Sequence, residues 1–103
     1  MTNQPISQTG NAAVLRPDGD LAAARLPALR SELQAMVGSG IIHLTIDLAT
    51  VQMVDSAGIG LLIAAHNSLS KAGGELTLIH TAAHIVELFR TMRIHQHFSI
   101  SGN

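Results

Sequence analysis

The sequence predicts an α/β domain with a partly parallel central sheet. Segments that alternate apolar and polar residues take turns with segments whose apolar residues recur every three or four positions. Their order is strand, strand, helix, strand, helix, strand, helix, strand, and such alternation marks layered α/β folds. The 103 residues amount to one domain, with no repeat, linker or low-complexity tract. Apolar residues make up 47% of the chain and charged ones 13%, which excludes a disordered chain and requires a buried, almost wholly aliphatic core.

A short strand near Ile6, a turn at Thr9-Gly10-Asn11 and a strand at Ala12–Arg16 open the chain, and Pro17-Asp18-Gly19-Asp20 breaks the second strand. Leu26, Leu29, Leu33, Met36 and Val37 then form one helical face. Pro27 suits its first turn, where a missing N–H costs nothing, and Gly38 and Gly40 end it. Ile41–Leu48 alternates from Ile42 onward and carries β-branched residues, as strands do. Asp55-Ser56 opens a second helix through about Lys71, with Ile59, Leu62, Ile63 and Leu69 inward, and Gly73-Gly74 closes it. Leu76–His80 is a strand, and Ala82 to about Met92 a third helix with Ile85, Leu88, Phe89 and Met92 on one face. Phe98–Ile100 adds an edge strand. Sites in open sheets of this class lie beyond the carboxyl ends of the strands, where Pro17–Asp20 and Val51–Gly60 fall.

Composition excludes several functions. Six basic against seven acidic residues leave a net charge of −1, which argues against nucleic acid as a direct partner. No cysteine means no disulfide, thiolate metal site or thiol nucleophile. Mean hydropathy is +0.32, but the most apolar run, Ala57–Ala65, is far short of the roughly 20 residues of a spanning helix, so membrane insertion is not expected. The first residues, MTNQPISQTGN, lack the basic and apolar regions of a secretory signal, so the expected location is cytoplasmic.

Val54-Asp55-Ser56-Ala57-Gly58-Ile59-Gly60 is the most informative stretch: a strand-to-helix turn that presents a hydroxyl at a helix N-terminus. On spacing alone, an ordinary Asp/Ser cap with small packing residues is the simpler reading. Enzyme signatures fail on identity. Val54 occupies the first glycine of a nucleophile elbow, Ile63 the third glycine of a dinucleotide fingerprint, and no phosphate-loop lysine is present. The histidine pairs His80/His84 and His95/His97 have no carboxylate or thiol at metal-ligand spacing, and neither a metal nor another cofactor is expected. Asp18, Asp20 and Asp55 suit turns and caps better than paired acid–base work.

Those residues carry a resemblance. Gly19-x-Leu21, Leu26-Pro27-x-Leu29-Arg30-x-x-Leu33, Ile46-Asp47-Leu48, Val54 to Leu62, Lys71-Ala72-Gly73-Gly74-Glu75-Leu76 and Met92-Arg93-Ile94-x-x-x-Phe98-x-Ile100 lie in the order found in STAS-domain proteins. The chain resembles the stand-alone bacterial anti-sigma factor antagonists among them. The resemblance implies a single STAS domain over residues 1–103, with 1–5 a flexible lead, and a mixed sheet of four to five strands with helices mainly on one face. It implies a binding switch, not an enzyme, and a chain monomeric when free. Ser56 is the implied phosphorylation site, and Asp18, Asp20, Asp55, Ser56, Ala57, Gly58, Ile59 and Gly60 the implied partner surface. The implied partners are an anti-sigma factor that is also a serine/threonine kinase, and a phosphatase acting on phospho-Ser56. Unphosphorylated, such an antagonist binds the anti-sigma factor and frees the sigma factor; phosphate abolishes that binding.

Two departures stand out. Many relatives have an acid where Ala22 stands, with Asp20 as the available substitute, and a glycine-leucine step within Arg93–Phe98. Two other classes share the motif: a STAS subunit of a lipid-transporting ABC permease, and an adaptor in stressosome, secretion or chemotaxis signalling. Transport subunits generally do not depend on a phosphorylatable serine, so Ser56 favours the antagonist.

Overall fold

The computed structural model describes residues 4–94 and 98–102. A five-stranded sheet runs in chain order: β1 (Gln4–Thr9), β2 (Ala12–Arg16), β3 (His43–Asp47), β4 (Glu75–Thr81) and β5 (Ser99–Gly102). β1 and β2 form an antiparallel hairpin, and every later pair is parallel. The three parallel crossovers are made by α1 (Leu26–Gly38), α2 (Ser56–Lys71) and α3 (Ala83–Thr91). Each crossover steps to the next strand in the same direction. Right-handed connections therefore place all three helices on one face of the sheet.

The two faces follow from the strand alternation. Ala13 and Leu15, Leu44 and Ile46, and Leu76 and Leu78 are buried beneath the helices, while Val14, Thr45 and Thr77 on the other face are only half-buried. Leu29, Leu33, Leu62, Leu69, Ile85 and Phe89 fill the space from the helix side. Fully burying such aliphatic side chains contributes about 1.5–3 kcal/mol each, and this layer is the main cohesive force. Gly74 is required by a close approach: a Cβ there would overlap the Ile42 carbonyl, which accepts the Glu75 amide at 2.8 Å.

The expected elements are present, with shifted ends. β3 is shorter than Ile41–Leu48, because the Ile41 amide turns back to Met36 and the Ile42 amide to Asn11. A 3₁₀ turn at Ala23–Arg25 precedes α1 and had no periodic signal. Residues 1–3 of the expected flexible lead lie outside the described residues, whereas Gln4 and Pro5 begin β1. His95 and His97 also lie outside them. No helix among the described residues is long and apolar enough to cross a membrane.

Candidate functional site

The carboxyl ends of β2, β3 and β4 release three connections on one edge of the domain, and one buried carboxylate ties them together. Asp47, the last residue of β3, is 2% exposed. It accepts from Arg16 Nη2 at 2.9 Å, from the Ala49 amide at 2.9 Å and from His80 Nδ1 at 3.0 Å. Burial by itself would raise its pKa. The Arg16 bond and charge, the Ala49 amide and His80 outweigh it and hold the carboxyl below its ordinary value. His80 reaches Asp47 through an unusual backbone. Continued alternation would send it after Leu76 and Leu78 under the helices, but its φ of 54° breaks the β4–β5 register and leaves the ring half-exposed. A left-handed non-glycine residue costs about 1–2 kcal/mol, which the charged contact offsets.

The 48–55 segment is then stitched to the 17–23 segment. Thr50 Oγ1 donates to the Pro17 carbonyl at 2.7 Å, and Asp20 Oδ1 accepts the amides of Gln52 and Met53 at 2.7 and 3.1 Å. Leu21 and Val54 form a parallel bridge, with Leu21 N donating to Met53 O at 3.0 Å and Asp55 N to Leu21 O at 3.1 Å. On the far side, His84 Nε2 donates to the Gln52 carbonyl at 2.6 Å, which fastens the same segment to α3. Arg25 donates to the Asp18 carbonyl and stands 4.0 Å from its carboxylate.

Asp55 is the N-cap of α2. Its Oδ1 accepts the Gly58 amide at 2.8 Å, satisfying an end-of-helix donor, and its Oδ2 accepts the Ala23 amide at 3.0 Å from the 3₁₀ turn. One side chain thus caps one helix and anchors the approach to another. Gly58 faces Leu21, and a Cβ on it would overlap the Leu21 carbonyl that receives the Asp55 amide. The motif needs glycine there for backbone contact, not for phosphate binding.

Ser56 follows the cap as the first residue of α2 and is exposed, with Ala57 and Gly60 exposed beside it and Met53, 50% exposed, on the preceding segment. Asp18, Asp20 and Asp55 are half-buried. Gly58 and Ile59 are buried and lie beneath the exposed Ser56, Ala57 and Gly60. Asp20 spends an oxygen on two amides, so it is a tether in its own loop before it is a stand-in for the acid absent at Ala22. Asp20 ties a loop and Asp55 caps a helix, whereas the Asp18 carboxylate faces Arg25. Sequence reasoning alone does not place Arg16, Asp47, Met53, His80 and His84 at this edge. The available signal is an aspartate at the carboxyl end of an alternating strand, just before a strand-to-helix loop. Among the described residues, no group of three or more His, Asp or Glu side chains could hold a metal ion.

Among the described residues, this edge is a set of loops cross-tied by Asp47, Asp20 and Asp55, with Ser56 exposed at the head of α2. The family model for "Mlab, STAS domain" matches residues 5–100, and the chain belongs to the STAS-domain family, whose members are regulatory, non-catalytic modules. Solved structures share the fold at low identity. A Thermotoga maritima protein assigned as an anti-sigma factor antagonist superposes with a TM-score of 0.89 at 15% identity, over 98% of this chain and 86% of that one. An anti-sigma factor antagonist from Mycobacterium paratuberculosis gives 0.84 at 22%, over 99% and 86%. The Bacillus cell fate determinant SpoIIAA in its phosphorylated form gives 0.75 at 16%, over 96% and 90%. No curated protein matches the chain by sequence.

Proposed function

We propose that the chain is an anti-sigma factor antagonist whose docking edge is switched by phosphorylation of Ser56. The observation that carries this reading is an exposed serine hydroxyl at the head of α2, on loops already fixed by Asp47, Asp20 and Asp55. A related fold known in a phosphorylated form supports it. Unphosphorylated, the edge offers the apolar Met53 with the small Ala57 and Gly60 to an anti-sigma factor that is also a serine kinase.

Phosphate transfer to Ser56 Oγ adds roughly −1.5 to −2 charges and a tetrahedral group at this edge. The chain itself tolerates the anion, because the positive end of the α2 dipole lies at Ser56, even with the Gly58 amide taken by Asp55. A partner packed closely on Met53 and Ala57 does not, because the contact would have to strip water from the phosphate and make room for its bulk. The switch therefore acts by local charge and bulk, with the core unchanged. A phosphatase reverses it, and the free chain is a cytoplasmic monomer.

The test is incubation with ATP and a serine kinase of the anti-sigma type from the same organism, followed by mass-spectrometric site mapping. One phosphate on Ser56, absent from Ser56→Ala, is expected. Phosphate elsewhere, or equal incorporation into Ser56→Ala, overturns the reading. Undiminished partner binding by Ser56→Asp would favour a non-switching STAS subunit of a transport complex.

A further inference from the structure

Away from the phosphorylation edge, α1 and α2 do not close completely on each other. Between them lies a slot of about 360 Å³, within the size range of small-molecule sites. Its floor and walls are aliphatic: Leu33 and Val37 from α1, Leu61, Ala65 and Leu69 from α2, and Leu44 of β3 beneath. Gln34, Ala64 and Ser68 lie along its rim. The slot has one charged lining residue, Arg30, and no carboxylate. Arg30 is exposed and has no ion-pair partner among the described residues, whereas Arg16, Arg25 and Arg90 each have one.

Shape and charge together select an occupant. Both helices run antiparallel to the parallel strands they connect, so Arg30 lies toward their N-terminal end and Val37 and Leu69 toward the other. From Arg30 to Val37 the helix rises about 11 Å, the length of a medium acyl chain. A partner helix, about 10–12 Å across with its side chains, is too broad to reach Leu44 between two packed helices. A single hydrocarbon chain is not. An unpaired guanidinium at one end of an apolar slot suits a carboxylate, which it can hold in a two-point contact.

We propose that the α1–α2 slot binds a medium-chain anionic amphiphile, its tail along Leu33, Leu61 and Leu69 and its carboxylate on Arg30. This site is independent of Ser56, so it stands whether or not the antagonist reading does. The test is titration of decanoate, below its micelle concentration, into the isotope-labelled full chain, followed by methyl and amide NMR. Saturable shifts confined to Leu33, Val37, Leu61, Ala65 and Leu69 are expected, with octanoate weaker than decanoate. Arg30→Gln should weaken binding about tenfold, and decyltrimethylammonium should bind more weakly than decanoate. Ala64→Leu, on the exposed rim, should block the slot while preserving the rest of the spectrum.

Absence of saturation in the folded wild type overturns the proposal. So does equal binding of the cationic amphiphile, or shifts spread over the open sheet face. Tighter binding of an acidic amphipathic peptide at the same methyls would make the slot a protein contact and overturn the amphiphile assignment.

Discussion

Replacing Asp47 by asparagine tests whether one buried carboxylate holds together the loops at the carboxyl ends of β2, β3 and β4. The substitution keeps the shape but removes the charge, and it leaves one acceptor oxygen where two served Arg16, Ala49 and His80. Charge-assisted hydrogen bonds contribute about 1.5–3 kcal/mol each when fully sequestered. Arg16 and His80 are 46% and 53% exposed, so solvent screens their share, and a total loss of about 2–3 kcal/mol is expected. For a domain of this size that is a fall in Tm on the order of 10–20 °C. Urea unfolding at a series of pH values measures it.

The pH dependence has a definite sign. Asp47 is more acidic folded than unfolded, so the unfolded chain takes up its proton first as the pH falls. Its stabilisation is complete above the ordinary aspartate value of about 3.9 by a unit or so, and is lost as the pH drops through the lower folded value. The gap between wild type and Asp47→Asn should therefore be widest near neutrality and shrink under acid. A cost below about 0.5 kcal/mol, within the range of ordinary surface substitutions, would refute the reasoning. A gap that stayed constant between about pH 3 and 7 would refute it equally.

Other perturbations follow from the same contacts. Gly58→Ala drives a methyl into the Leu21 carbonyl and should cost about 1–3 kcal/mol by overpacking, read from the denaturation midpoint. Asp55→Ala removes the α2 cap and the Ala23 anchor; a loss of about 1–2 kcal/mol is expected, with faster hydrogen exchange at the Ala23 and Gly58 amides. Ser56→Asp should leave stability within about 1 kcal/mol of wild type, since an acid at a helix N-terminus is favourable, yet weaken kinase binding in calorimetry. A matching loss of stability would show that the switch unfolds the edge instead of blocking it.

Most of the layer structure was legible because its periodicities are unmixed. Leu44/Ile46 and Leu76/Leu78 announce the covered face of the sheet, and the Asp55 cap with Gly73 past the end placed α2 at Ser56–Lys71. Asp47 was not legible. Alternation puts it with Thr45 on the open face, and its burial comes from Arg16 and His80 closing over it from other strands. The left-handed His80 breaks the alternation it would have been read from. The Leu21–Val54 bridge and the Asp20 tether join residues distant along the chain, where no local pattern reports pairing. Ser56 was conspicuous because local chemistry, a cap followed by a hydroxyl and two glycines, is what sequence displays best.

The central claim is that phosphate on Ser56 blocks a preformed docking edge and does not reshape it. Calorimetric titration of the anti-sigma-type kinase with unphosphorylated and phospho-Ser56 protein, paired with amide spectra of both forms, measures this directly. The account predicts a loss of affinity on the order of 100-fold or more, the consequence of forcing a phosphate of charge near −2 out of water in a contact packed on Met53 and Ala57. Spectral changes should be confined to the first turns of α2 and the 17–23 and 48–55 segments. Equal affinity of the two forms, or shifts extending through Leu44, Leu76 and Phe89 in the core, would contradict it.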